Sequence, residues 1–222
     1  MKEGIGEKKI QTVRLGVNLK RFKSQRSKVK SFKILFVGRL VEEKGMMDLY
    51  EAFKRAKNIE RRTGNRNLEL RIVGSGPLRG RLSKLMQRDG FGHAAKIEKR
   101  GYGEMAGVYR DADIFVLPSR TTETWEEQYG IVLVEAMASG LPIVAYASGA
   151  IPEVLANAGI LVKEGDISGL SGAIHATINK PDLRIKLGTM GRKRAETFFD
   201  ARKTARKIKK IYDAVMRDSH KK

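Results

Sequence analysis

From Phe32 onward the chain alternates two patterns. Short β-rich runs recur at FKILFVG (32–38), LELRIVG (68–74), KIEKRG (96–101), DIFVLP (113–118), PIVAY (142–146) and GILV (159–162). Between them apolar residues return at helical spacing: Met46, Leu49, Tyr50 and Phe53 within 45–59, and Leu78, Leu82 and Leu85 within 77–88. Strand, helix and strand in repetition predict an α/β fold, a parallel sheet with helices on both faces. The runs 181–199 and 201–217 predict two closing helices, the second with an apolar stripe of Ala201, Ala205, Ile208, Tyr212 and Val215. Ahead of Phe32, KKIQTVRLGVNLKRF predicts one short strand and KSQRSKVKS a polar connector. The expected organisation is therefore a lead-in over 1–30, a central domain over 31–200 and a basic helix over 201–222.

Composition narrows this picture. The 222 residues suffice for a real core, and 41% are hydrophobic. No apolar run is long enough to span a bilayer, and the first residues lack the hydrophobic region of a signal peptide, so a cytoplasmic protein is expected. The chain has no Cys and only three scattered His (His93, His175, His220), which argues against disulfides, thiolate chemistry and a metal cluster.

The net charge of +20 changes the picture only until it is located. Residues 1–33 carry eleven Lys/Arg against two acids, residues 180–222 carry fifteen against five, and the centre carries nineteen against eighteen. The excess belongs to the ends. Nucleic-acid binding would require a basic stripe across the fold with interleaved aromatics, and aromatics are 7% of the chain. Basic ends suit an anionic membrane surface, another protein domain, or a solvated surface of the kind found in heat-adapted proteins.

Parallel sheets bind ligands at the carboxyl ends of their strands, and that rule sorts the candidate chemistry. FVGRLVEEKG ends a strand at Gly38, carries Arg39 and Lys44 in the following loop and opens a helix near Gly45. Two cations beside a helix N-terminus suit a diphosphate. IVGSGPLRG repeats the design, with Gly74 and Gly76 in the turn and Pro77 at the expected first helical position. Its glycine spacing misses the dinucleotide fingerprint by one residue, and the P-loop pattern is absent. Those glycines serve either a ligand or a tight turn. Asp111 and Asp113 imitate a metal-binding Asp-x-Asp, but they precede a strand and so fall on the edge away from ligands. In TWEEQYGIVLVEAMASGLP, Glu127 falls in a loop and Glu135 within the helix that starts near Gly130, among Ile131, Val132, Leu133, Val134, Ala136 and Met137. A carboxylate in such apolar company needs partners, and vicinal sugar hydroxyls are natural donors to it.

Taken together, FVGRLVEEKG, VGSGPL, DIFVLPS, EQYGIVLVEAMASGLPIVA and SGAIPEVLANAGILV resemble, in order and spacing, the C-terminal half of retaining glycosyltransferases of the GT-B fold, the large family that includes sucrose synthases, bacterial phosphatidylinositol mannosyltransferases and glycogen synthases. The likeness covers about residues 11–200, and the Glu, seven residues, Glu element is its most specific part. It implies a Rossmann-like domain that holds a nucleoside diphosphate sugar (UDP-, GDP- or ADP-linked) and transfers a hexosyl group with retention, with no cofactor and no metal. Arg39 and Lys44 are similar to the pair that neutralises the donor pyrophosphate, Glu135 to the ligand of the ribose hydroxyls and Glu127 to the carboxylate beside the donor sugar. Gly38, Gly74 and Gly76, with the backbone amides of Tyr129, Gly130 and Ile131, join the expected donor-binding positions.

The resemblance also implies that the segment before residue 31 leads in from an acceptor-binding N-terminal domain, without which the chain alone would be inactive. The alternative is a non-catalytic nucleotide-sugar-binding subunit completed by a separate chain. Gln-Tyr-Gly after Glu127 and SGAIPE depart mildly from the commoner Gly-Phe-Gly and Gly-Gly-x-Pro-Glu, which blurs the choice of sugar. The insertion-like TTETWEEQ would shape the acceptor side, with Trp125 either a contact there or a loop-packing aromatic. Glu127 is read as orienting the sugar rather than attacking it.

Overall fold

The computed structural model describes residues 10–22, 31–63 and 67–219. Among them, β1 (Ser31–Val37), β2 (Asn67–Val73), β3 (Ala95–Glu98), β4 (Ile114–Leu117), β5 (Ile143–Tyr146) and β6 (Ile160–Val162) form one parallel sheet in the order β3-β2-β1-β4-β5-β6. The sheet is Rossmann-like. Val, Ile, Leu and Phe fill its middle because a strand covered on both faces can expose no side chain to water: all four residues of β4 and all four of β5 are buried. Toward the β3 edge one face is wetter, and there β2 alternates, with Leu68, Leu70 and Ile72 inward and Glu69 and Arg71 half-buried.

Helices α1 (Met46–Thr63), α2 (Arg79–Arg88), α3 (Met105–Arg110), α4 (Ile131–Ala138), α5 (Ile151–Leu155), α6 (Ile167–Asn179), α7 (Pro181–Phe198) and α8 (Ala201–Ser219) complete the chain. The sheet grows from β1 toward β2 through α1 and from β4 toward β5 through α4, so right-handed crossovers set these helices on opposite faces. α1 packs against α6 and α4 against α7, one pair for each layer. β1 and β4 are neighbours whose following chains leave in opposite directions. The cleft between their carboxyl ends is the switch point of the sheet.

Beyond the short helices α3 and α5, which the periodicity did not mark, two elements differ from the pattern-based expectation. The lead-in predicted as a strand makes only a single parallel bridge, Val17 to Asp200, with the Val17 amide donating to Phe199 O (2.9 Å) and the Ala201 amide to Val17 O (3.1 Å). Its partner is the corner between α7 and α8, which offers no continuing row of backbone groups, so no ladder can grow. The polar connector, apart from Ser31 at the start of β1, falls on residues 23–30, outside the described residues. The second difference is α6, which the periodicity did not announce. ISGLSGAIHATIN contains two Gly and several Ser and Thr, poor helix formers, yet Leu170, Ile174 and Ile178 are buried in the layer shared with α1, and the Asp166 carboxylate caps the helix by accepting from the Gly169 amide (2.8 Å). Tertiary burial outweighs propensity here.

Among the described residues no helix is long and apolar enough to cross a membrane. The stripe expected on α8 is present and largely on the surface, with Tyr212 68% exposed.

Candidate functional site

The site begins where β1 ends. After Val37 the chain runs through Gly38 and the buried Leu40 to a single turn of 3-10 helix, Glu42–Lys44, and enters α1 through Gly45. The neighbouring loop after β2 is laced to it. The Gly38 amide donates to Val73 O (3.0 Å), the Leu40 amide to Ser75 O (2.9 Å), and Leu40 O accepts from the Leu78 amide (3.0 Å). A Cβ on Gly74 would stand 1.8 Å from Gly38 O, and one on Gly76 2.4 Å from Leu40 O. Gly74 and Gly76 thus keep the two loops in contact, which is the tight-turn role. Pro77 lies in that turn, two residues before α2, instead of at the first helical position, because Leu78 is still engaged with Leu40.

The second wall comes from the loop after β4. Ser119 is fully buried, and beyond it residues 120–128 are fastened at several points. The Arg120 amide donates to Glu43 O (2.8 Å), while the Thr121 amide and hydroxyl donate to the Glu164 carboxylate (2.9 and 2.8 Å). Glu127 is held from behind: its carbonyl accepts from the Ala150 amide (2.7 Å), and a Cβ on Gly149 would come 2.3 Å from that oxygen. SGAIPE therefore presses the β5–α5 turn against Glu127. Only a residue without a side chain allows that approach.

These two loops bring Lys44 and Glu127 together across the switch point. Lys44 Nζ donates to Glu127 Oε2 at 2.5 Å, the Ser119 hydroxyl donates to the same oxygen at 2.9 Å, and the two charged side chains are 13% and 10% exposed. The Trp125 ring, half-buried, lies with its centroid 4.5 Å from Lys44 Nζ. Arg39, grouped with Lys44 from sequence, stands apart: its guanidinium is largely in water and reaches Glu43 at 3.5 Å. Ser119 was not singled out from sequence, although it closes the DIFVLPS run at a strand's carboxyl end, where functional side chains collect.

The other end of the cleft is built around Glu135. Gly130, with φ 67°, stands as N-cap of α4, which has no side-chain cap and no acid in its first turn. Ile131 opens the helix and Glu135 follows one turn later, buried. The Tyr109 hydroxyl donates to Glu135 Oε2 at 2.7 Å. Tyr109 shares the inner face of α3 with Met105 and Val108, a 105/108/109 spacing that could have flagged it in the sequence. Arg21 lies within electrostatic range of Glu135, donates to Tyr102 O (2.8 Å) and stacks 4.3 Å over the Tyr102 ring. Tyr129 turns its side chain away from this cleft, its hydroxyl donating to Leu15 O and its ring meeting Phe199 edge-on. Only its backbone stays beside the helix start.

Asp111 and Asp113 sit at the opposite, amino edge of the sheet. Asp113 accepts from the Lys33 amide (2.9 Å), and Asp111 pairs with Lys33 Nζ (2.7 Å) and Arg71 (3.2 Å). Their carboxylates are used in tying β1, β2 and the start of β4 together. Among the described residues no group of three or more His, Asp or Glu is arranged to hold a metal ion.

Burial pushes the Glu135 carboxyl above the ordinary glutamate range, against the opposing pull of the Tyr109 hydroxyl and Arg21. A raised folded-state value means that the group's contribution to stability is complete below the unfolded-chain value near ~4.3 and is lost as pH rises through the folded value. Glu135→Gln keeps an acceptor for Tyr109 and removes the titration. The variant is expected to melt at least as high as the parent at pH 7, with the difference closing toward pH 4. A variant less stable than the parent at pH 7 would show that the buried charge contributes to the fold.

A parallel sheet in this order, with a largely buried cation–carboxylate pair at its switch point, defines a Rossmann-like domain of the type from which GT-B glycosyltransferases are built. The chain belongs to the glycosyl transferases group 1 family, which residues 18–194 match, and corresponds to the C-terminal domain of such enzymes. It is 33% identical over 183 residues to the putative colanic acid biosynthesis glycosyltransferase WcaL of Escherichia coli, covering 79% of this chain and 43% of that protein. Among solved structures it is similar to sucrose-phosphate synthase from Thermosynechococcus elongatus, with a TM-score of 0.78 and 26% identity over 93% of this chain and 52% of that one. It also shares the fold of HepE of Anabaena, determined in complex with UDP and glucose, with a TM-score of 0.74 and 20% identity over 90% of this chain and 55% of that one. The chain spans about half the length, or less, of the curated relatives it matches.

Proposed function

We propose that this chain binds a nucleoside diphosphate sugar across the carboxyl ends of β1 and β4 and serves as the donor domain of a retaining, metal-independent hexosyltransferase. The observation that carries the reading is the Lys44–Glu127 pair at the switch point. Lys44 offers the diphosphate a cation already held in position, Arg39 adds a second from the rim of the same loop, and the uncapped start of α4 adds backbone amides at Gly130 and Ile131. Developing charge on the leaving diphosphate would be stabilised by this set of donors without a metal ion. Glu127, already committed to Lys44 and Ser119 through Oε2, keeps Oε1 for a sugar hydroxyl, which favours an orienting role over attack. Glu135 keeps Oε1 for the ribose hydroxyls in the same way. The UDP and glucose bound to HepE support this ligand class.

The test is calorimetry of the purified chain with UDP, GDP and ADP, the corresponding nucleosides, and the Glu135→Gln variant. At least one nucleoside diphosphate is expected to bind. Glu135→Gln should then lose about 1.5–3 kcal/mol for nucleoside and nucleoside diphosphate alike, because the hydrogen bonds removed are charge-assisted and go to ribose. Absence of binding by all three, or unchanged affinity in the variant, would refute the assignment.

A further inference from the structure

The chain has one tryptophan, and it stands in the loop between β4 and α4. We propose that Trp125 is a positioning residue of the donor site, whose indole face holds the Lys44 ammonium where an incoming diphosphate meets it. The proposal rests on the donor-binding reading above. Three observations converge on it. The Lys44 Nζ is 4.5 Å from the ring centroid, well within cation–π range, while it also donates to Glu127. The indole therefore fixes the ammonium on one side and the carboxylate fixes it on another. The loop that carries the ring is itself fastened, through Glu43, Glu164 and a local turn in which the Thr122 amide donates to Trp125 O at 2.8 Å. Finally, the cation is the last residue before Gly45, on the short turn between β1 and α1, so its backbone is as fixed as its head.

A lysine side chain free in a cleft must give up most of its rotamers when an anion binds it. With Trp125 in place, much of that ordering has already happened when the diphosphate arrives, which is preorganisation. The effect acts only on ligands that use Lys44. It predicts a specific split: diphosphates feel the loss of the indole, nucleosides do not, and another aromatic ring restores part of what is lost.

The experiment compares the full chain with Trp125→Leu and Trp125→Phe by calorimetry against UDP, GDP, ADP and the three nucleosides, with circular dichroism melts as the folding control. Trp125→Leu should weaken the diphosphate that binds by about threefold to tenfold, leave its nucleoside unchanged, and be partly rescued by Trp125→Phe. Independently of any ligand, Lys44→Met should shift the emission of this single tryptophan, because the charge facing the ring is gone. Full diphosphate affinity in Trp125→Leu, an equal loss for nucleoside and diphosphate, or emission unchanged by Lys44→Met would each overturn the proposal while leaving donor binding intact. Failure of the unaltered chain to bind any nucleotide would overturn the donor-site reading and this inference with it.

Discussion

Lys44→Met is expected to weaken nucleoside diphosphate binding about 100-fold, close to 2.7 kcal/mol, and to leave the parent nucleoside within about threefold. The substitution acts twice. It removes the cation that would meet the diphosphate, and it strands Glu127, whose side chain is 10% exposed, with Ser119 as the remaining donor among the contacts described above. An uncompensated carboxylate in that position costs several kcal/mol and repels the incoming anion. The second effect is separable by a cycle. If Lys44 and Glu127 act as one unit, Lys44→Met combined with Glu127→Gln should bind the diphosphate more tightly than Lys44→Met alone, since neutralising the stranded acid removes its repulsion. Calorimetry on the four proteins decides: additive losses would show that the 2.5 Å contact carries no coupling relevant to the ligand. A Lys44→Met variant with equal losses for nucleoside and diphosphate would exclude Lys44 from the phosphate site.

Gly45→Ala is expected to destabilise the fold by about 3–5 kcal/mol, lowering the melting temperature by roughly 6–20 °C for a chain of this size. Gly45 has φ 64°, a left-handed conformation that costs an alanine about 1–2 kcal/mol. The added Cβ would also lie 1.9 Å from Pro118 O, a backbone atom with no rotamer through which to withdraw. To accept it, the loop after β1 and the loop after β4 must part, and these loops carry Lys44 and Glu127. Loss of nucleotide affinity should therefore accompany loss of stability. The control is Gly80→Ala, a helical position where a Cβ meets nothing within 4 Å. That change should be neutral or stabilising by up to about 1 kcal/mol. Thermal melts of both variants test the contrast, and a Gly45→Ala protein melting with the parent would show that the two loops are not fixed against each other.

The path from sequence to site can be followed residue by residue. All six strands were visible as β-rich runs, and β4 and β5 most plainly, because strands buried on two faces must be written in apolar residues whatever surrounds them. The Glu127 to Glu135 spacing, the cations Arg39 and Lys44 and the wrong-edge position of Asp111 and Asp113 followed from where those runs begin and end. α6 was not visible, since its helix rests on burial against α1 rather than on its own composition. The lead-in predicted as a strand forms a single bridge, because an alternating pattern cannot reveal that its partner is a helix corner.

What the sequence determined by itself, then, was local and periodic: element type, the order of strands and helices, and which residues stand at the carboxyl ends of strands. These depend on side-chain sterics and on burial within one element, which are written in adjacent residues. Pairing across the switch point depended on the tertiary structure alone. Lys44 and Glu127 are 83 positions apart, and Glu135 and Tyr109 are 26 apart. No pattern within either segment says which cation will face which carboxylate, or that Arg39 will stay in water while Lys44 turns inward. Those choices were made when the strand order brought β1 beside β4, and when glycines at 45, 74 and 149 let backbones approach closer than any side chain would permit, so that the geometry of the cleft is a property of the packed loops and of no single stretch of chain.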